Sequence, residues 1–197
     1  MLILSSQPVL PMLCTCLLFQ CFNSAKSWQT GWYGQNGVHG DKTLNLSFGD
    51  DCFDGTISGT ADYATTSNPV TIRVVNPNAS GADIFIAFNA KKGINSGIVE
   101  FGDEVTVVQV VDGGGEDLSV SYWRSNMVAG GSYTNNNFGG KTLNVKVDSI
   151  TGSDNASIKI YFGSICTVTT PAPTPAVSLL KSFILAFFFP SFFTKDQ

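Results

Sequence analysis

Between Trp28 and Cys166 the chain alternates apolar and polar residues with a period of two, in short runs, and carries no convincing period of 3.6. Thr43 to Phe48 puts Leu44, Leu46 and Phe48 on one face and Thr43, Asn45 and Ser47 on the other. Thr142 to Asp148 points Leu143, Val145 and Val147 inward, and Ser157 to Phe162 does the same with Ile158, Ile160 and Phe162. Leu118, Val120 and Tyr122 alternate with Ser119 and Ser121. Val70 to Val75, Ile84 to Phe88 and Glu104 to Val111 add three further runs. The last is valine-rich on both faces, so it is either central or bulged. Turn chemistry separates the runs: Asp54-Gly55, Asn76-Pro77-Asn78, Asp112-Gly113-Gly114-Gly115, Asn135-Asn136-Asn137 and Gly152-Ser153-Asp154-Asn155. Seven or eight such strands predict an all-β domain over 28–166, an antiparallel β-sandwich or jelly roll.

Both flanks of this region read as processing or attachment segments. Pro8 to Phe22 is apolar but short of the about 20 residues that span a bilayer. It leads into Ala25-Lys26-Ser27, small residues at −3 and −1 of a cut before Trp28. Residues 1–27 therefore read as a secretory signal peptide, although no Lys or Arg precedes the apolar run. After Cys166 comes a Thr/Pro-rich linker, 167–176, which favours extended chain. An apolar tail follows over 177–197, broken by Lys181 and Pro190. A GPI-anchor signal, a short membrane segment, an unprocessed tail and a misjudged reading frame are its alternatives.

Cleavage before Trp28 removes Cys14, Cys16 and Cys21. The even pair Cys52 and Cys166 remains, and in an oxidising compartment it predicts one disulfide across the domain. Three N-x-S sequons, at Asn45, Asn78 and Asn155, fit the same extracellular compartment.

Composition narrows the chemistry. Of 197 residues only 13% are charged, and the net charge is −4. That disfavours a coiled coil, a disordered acidic tail and a basic nucleic-acid binder. The single histidine, His39, excludes every His-paired zinc motif and leaves one imidazole for any triad. It sits in a Gly-rich loop without a nucleophile elbow. Paired carboxylates such as Glu100 and Glu104 could run glycoside hydrolysis without histidine, but the chain has only three glutamates. Gly113-Gly114-Gly115 is no phosphate loop, because neither Lys nor a helix pattern follows it.

Two stretches suggest ligands. Trp28-Gln29-Thr30-Gly31-Trp32-Tyr33-Gly34-Gln35-Asn36 sets flat rings beside amides, the pairing that sugar recognition uses. Trp28, Trp32, Tyr33, Gln35 and Asn36 are the candidate site, with Trp32 plugging one end of the sandwich as the packing alternative. Asp50, Asp51 and Asp54 offer hard oxygen ligands to calcium. They lack EF-hand spacing, and a solvated turn is the favoured reading. Asp112, Glu116 and Asp117 make a weaker case. Trp123, at the end of an alternating strand, is expected in the core.

Ile86 to Glu100 (IAFNAKKGINSGIVE), Asp103 to Val107, Ala129 to Tyr133 and the closing Ile165-Cys166 resemble a β-rich module of secreted algal and protist proteins. That module lies beside gametolysin-like metalloprotease domains. The resemblance implies a non-catalytic accessory module, since one histidine cannot supply the protease's HExxH motif. The expected function is thus a secreted or cell-surface binding or structural module for an extracellular glycan or matrix protein, with membrane attachment through the tail as an option. The alternatives are an accessory module that binds protein or wall substrate for a partner protease, and a histidine-independent hydrolase.

Overall fold

A computed structural model of the chain describes residues 23–32, 42–47, 52–78, 81–111, 120–164 and 166. Nine strands, one short α-helix and two 3-10 turns (Thr60–Asp62 and Gly93–Asn95) are seen among them: α1 (Ser24–Gln29), β1 (Thr43–Leu46), β2 (Phe53–Ser58), β3 (Thr71–Val74), β4 (Asp83–Asn89), β5 (Glu104–Val110), β6 (Ser121–Met127), β7 (Ser132–Phe138), β8 (Lys141–Thr151) and β9 (Asn155–Phe162). They form two sheets, ordered β1-β3-β4-β5-β6 and β2-β9-β8-β7. All pairings are antiparallel except β1 with β3. The chain runs as two meanders, β3 to β6 in one sheet and β7 to β9 in the other.

The alternation in the sequence builds the core. Ile72, Val74, Ile84, Ile86, Phe88, Val105 and Val107 from the five-stranded sheet face Ile57, Leu143, Val145, Val147, Ile158 and Ile160 from the other, all buried in one cluster. At about 25 cal/mol per Å² of apolar surface removed from water, this layer is the main source of stability. The outer face of the five-stranded sheet is also apolar near its centre. There Phe85, Val108 and Val110 pack against Ala25 and Trp28 of α1. This explains the doubly valine-rich β5, which is central and covered on both sides.

Cys52 and Cys166 are disulfide-bonded, with Cα atoms 5.6 Å apart across a sequence separation of 114. The bond ties the segment before β2 to the segment after β9, as expected.

Three turn expectations are corrected. Asp54-Gly55 lies inside β2, paired with Lys159 and Ile158. A Cβ on Gly55 would stand 3.0 Å from the Phe53 ring, so glycine here leaves room for that ring rather than bending the chain. Asn135-Asn136-Asn137 lies inside β7, where the register to β8 shifts between Asn135 and Phe138. Asn135 Oδ1 accepts from Asn137 N at 3.0 Å. The tract is thus an irregularity in an edge strand, where amides can spare ladder bonds. Asn155 opens β9 instead of closing a turn.

Gly59 joins the sheets. It bridges Phe88, and its N–H donates to the Asp154 carbonyl at 2.9 Å. An added Cβ would lie 2.3 Å from the Ala90 Cβ. Gly59→Ala is expected to cost about 1–3 kcal/mol by overpacking, measured by urea unfolding. An unchanged midpoint would mean that β4 yields freely at this point.

The outer face of the four-stranded sheet is polar. Asp148 pairs with Lys159 at 2.9 Å and Lys146 at 3.0 Å, and Lys159 also approaches Asp54 at 3.7 Å. The hydrogen bond from Lys159, then that from Lys146, holds the Asp148 carboxyl below its ordinary value. A depressed folded pKa stabilises above the unfolded pKa, near about 4, and that contribution is lost as pH falls through the lower folded value. Asp148→Asn should therefore be slightly less stable than wild type at pH 7, with the difference shrinking at pH 3. Urea midpoints at the two pH values check this. A difference that grows in acid would contradict it.

Among the described residues no helix is long and apolar enough to cross a membrane.

Candidate functional site

The aromatic segment of the sequence is split by the fold. Asn23 caps α1, its Oδ1 accepting from Lys26 N at 3.0 Å, and its Nδ2 donates to Ser121 Oγ of β6 at 2.9 Å. The helix ends in a left-handed Gly31 (φ 74°), with Gly31 N donating to the Trp28 carbonyl and Trp32 N to the Ser27 carbonyl. This is a Schellman closure, and glycine suits its positive φ. Trp28, 3% exposed, packs on Phe85 with ring centroids 5.4 Å apart. The guanidinium of Arg73 lies 4.3 Å from its ring centre and pairs with buried Asp83 at 2.7 Å. Asp83 also accepts from Asn76 N at 2.8 Å.

Trp28 is therefore a core residue and cannot serve as an open ligand platform. Its burial follows from position: it lies on the side of α1 that meets the apolar strip of Phe85, Val108 and Val110. Gln29 is also buried and accepts from Lys26 Nζ at 2.8 Å. Burial pulls the Lys26 pKa down. Trp32, just beyond the Schellman turn, is 43% exposed, so part of its side chain faces solvent and the rest is covered. Tyr33, Gln35 and Asn36 lie outside the described residues, as do His39, Asp112, Glu116 and Asp117. Ala25 and Ser27, the small residues of the expected signal cleavage, are fully buried in α1. A cut before Trp28 would remove both, together with the Asn23 cap.

The expected calcium cluster is only partly visible. Asp50 and Asp51 lie outside the described residues. Asp54 stands on the outer face of the four-stranded sheet, near Lys159. No group of three or more His, Cys, Asp or Glu among the described residues is placed to hold a metal ion. Of the sequon asparagines, Asn45 and Asn78 are exposed. Asn155 is half-buried and accepts from Ser58 Oγ at 2.7 Å.

A second aromatic surface was not legible in the sequence. Trp123 was expected in the core, but it is 44% exposed. The cause is a bulge. Met127, Asn126 and Ser125 of β6 pair in order with Val105, Thr106 and Val107 of β5, but the next partner, Val108, faces Trp123. Arg124 is the extra residue. It shifts the phase of β6, so Trp123 joins Val108 on the outer face instead of following Met127 and Ser125 inward.

Phe101 stacks on Trp123, with centroids 5.5 Å apart and planes 6° from parallel. It is delivered by the turn before β5, in which Phe101 (φ 57°) and Asp103 (φ 60°) both adopt left-handed backbone. Hydrogen bonds hold that turn. Asn89 Nδ2 donates to the Phe101 carbonyl at 3.1 Å, Asp103 N to the Asn89 carbonyl at 2.8 Å, and Lys91 N to Asp103 Oδ1 at 2.8 Å. On the same outer face Asn126 donates to the Glu104 carboxylate, and Thr106 donates to the Ala87 carbonyl at 3.3 Å. Glu100 and Val99 are exposed beside Phe101.

Fold and surface together define a disulfide-tied β-sandwich carrying exposed aromatic side chains. No family model, curated protein or solved structure matches the chain.

Proposed function

We propose that the protein is a secreted, non-catalytic module that binds an extracellular glycan through exposed aromatic side chains. The carrying observation is that two of its three tryptophans stand nearly half exposed, Trp123 on strand β6 and Trp32 just after α1. An exposed indole offers a flat apolar face, and the C–H faces of sugar rings stack on it. A disulfide that closes most of the domain supports an oxidising compartment. The exposed sequons at Asn45 and Asn78 add to that support.

The test is a glycan array run beside a hydrolase panel, using the purified chain. The reading predicts binding to neutral glycans, little change in affinity with salt, and no turnover. Absence of neutral-glycan binding, or hydrolysis of a bound glycan, overturns it. Trp32→Ala is expected to lower stability by clearly less than the about 3–5 kcal/mol of a fully buried aromatic deletion. A drop of several kcal/mol on urea unfolding would return Trp32 to packing.

A further inference from the structure

We infer that the stacked pair Phe101–Trp123 on the outer face of β5 and β6 is a binding platform for a neutral oligosaccharide, with Asn126 and Glu104 as its polar contacts. This rests on the glycan-binding reading and places its principal site on the β5–β6 strip, next to the point where α1 packs on Val108. Three independent features converge here. The β6 bulge spends a ladder position to turn an indole outward. The opposing ring is held by a phenylalanine in left-handed backbone, a conformation bulky residues rarely adopt and one that persists only where surrounding bonds over-determine it. Here Asn89 and Asp103 supply those bonds. Finally, the strip beside the rings carries a joined amide and carboxylate, Asn126 and Glu104. That pair presents both a donor and an acceptor, the complement of adjacent sugar hydroxyls.

Charge selects the ligand class. Glu100, Asp103 and Glu104 crowd the turn that carries Phe101 and outnumber its one cation, Lys91, whose stem lies against Gly102. Arg124, the nearest cation along β6, is turned toward Gln109, which accepts from its Nε at 2.6 Å, and toward Tyr122. Tyr122 and Gln109 pair on the opposite face of the sheet from Trp123. A carboxylated or sulfated polymer would meet net negative charge at the platform, whereas a neutral sugar needs only its hydrogen-bonding groups.

The experiment measures binding of the full chain to cellohexaose, laminarihexaose and mannohexaose, with a heparin hexasaccharide as the anionic probe. Wild type should bind at least one neutral hexasaccharide, and heparin about tenfold more weakly or not at all. Trp123→Ala should lose about tenfold or more in affinity, the scale of one lost ring contact. Trp123→Phe should recover part of that loss. Phe101→Gly supplies a variant that keeps the turn, because glycine relieves the left-handed strain and so offsets part of the lost ring packing. It should remain folded and bind about tenfold more weakly. Neutral binding that survives both Trp123→Ala and Phe101→Gly but is lost in Trp32→Ala overturns the platform and leaves the glycan reading standing. Failure of wild type to bind any of the three neutral probes overturns both. Preference for heparin overturns the neutral class.

Discussion

Replacing Cys52 and Cys166 by serine is expected to lower the stability of the protein by about 4–5 kcal/mol, the chain-entropy value for a closed loop of this length. The bond joins residues separated by 114 positions, nearly the whole sandwich. Without it the unfolded chain regains the conformations that the cross-link denies. The folded state loses something local as well. β2 is an edge strand paired only with β9, and Cys52 immediately precedes it. With the bond gone, that end of β2 is held by ladder bonds alone and should fray first. For domains whose total stability is about 5–15 kcal/mol, the loss is a large fraction. Urea unfolding of the double variant, and of wild type with and without reductant, measures it. Hydrogen exchange should show the amides of Phe53 to Gly55 opening before those of β8. Equal urea midpoints with and without the bond would show that the two sheets, not the cross-link, set stability.

The sequence carried the sandwich because most of its strands obey strict alternation, and alternation is what a sheet with one buried face requires. Thr142 to Asp148 and Ser157 to Phe162 fall inside β8 and β9 with their inward residues fully or largely buried. Cysteine arithmetic likewise led to the observed bond. The failures share one physical origin: places where a strand breaks its own pattern. β2 contains Asp54-Gly55 and β7 contains three consecutive asparagines. Both are edge strands, where the partner strand and not local propensity decides the outcome. Trp123 was misplaced because one inserted residue, Arg124, inverts the phase of everything before it. No periodicity rule detects a bulge that only the β5 register reveals. A weak signal did exist. Glu104 to Val110 is apolar on both faces, so its neighbours had to include something besides the second sheet. That something is α1, a helix of six residues, too short to register as a period of 3.6.

Trp28→Ala is expected to cost about 3–5 kcal/mol, the range for deleting a buried aromatic side chain. The residue was first a candidate for ligand contact, so the result separates the two roles. Its ring is 3% exposed, lies against Phe85 and roofs the guanidinium of Arg73. Truncation opens a cavity over Phe85 and removes a cation–π contact from Arg73. Arg73 and Asp83 would then sit beneath a void that water can reach, with Asp83 still bound to Asn76 N. Because α1 has a single turn and a half, its stability comes from this docking and not from its own hydrogen bonds. Loss of the anchor should therefore release the whole helix, including the Asn23 bond to Ser121 on β6. Two readouts follow. The urea midpoint should fall sharply in Trp28→Ala and clearly less in Trp32→Ala. Limited proteolysis of the folded protein should then cut after Lys26, a bond that docking protects in wild type. A Trp28→Ala protein as stable as wild type and equally resistant at Lys26 would mean that α1 contributes nothing to the fold, and would reopen Trp28 as a surface residue.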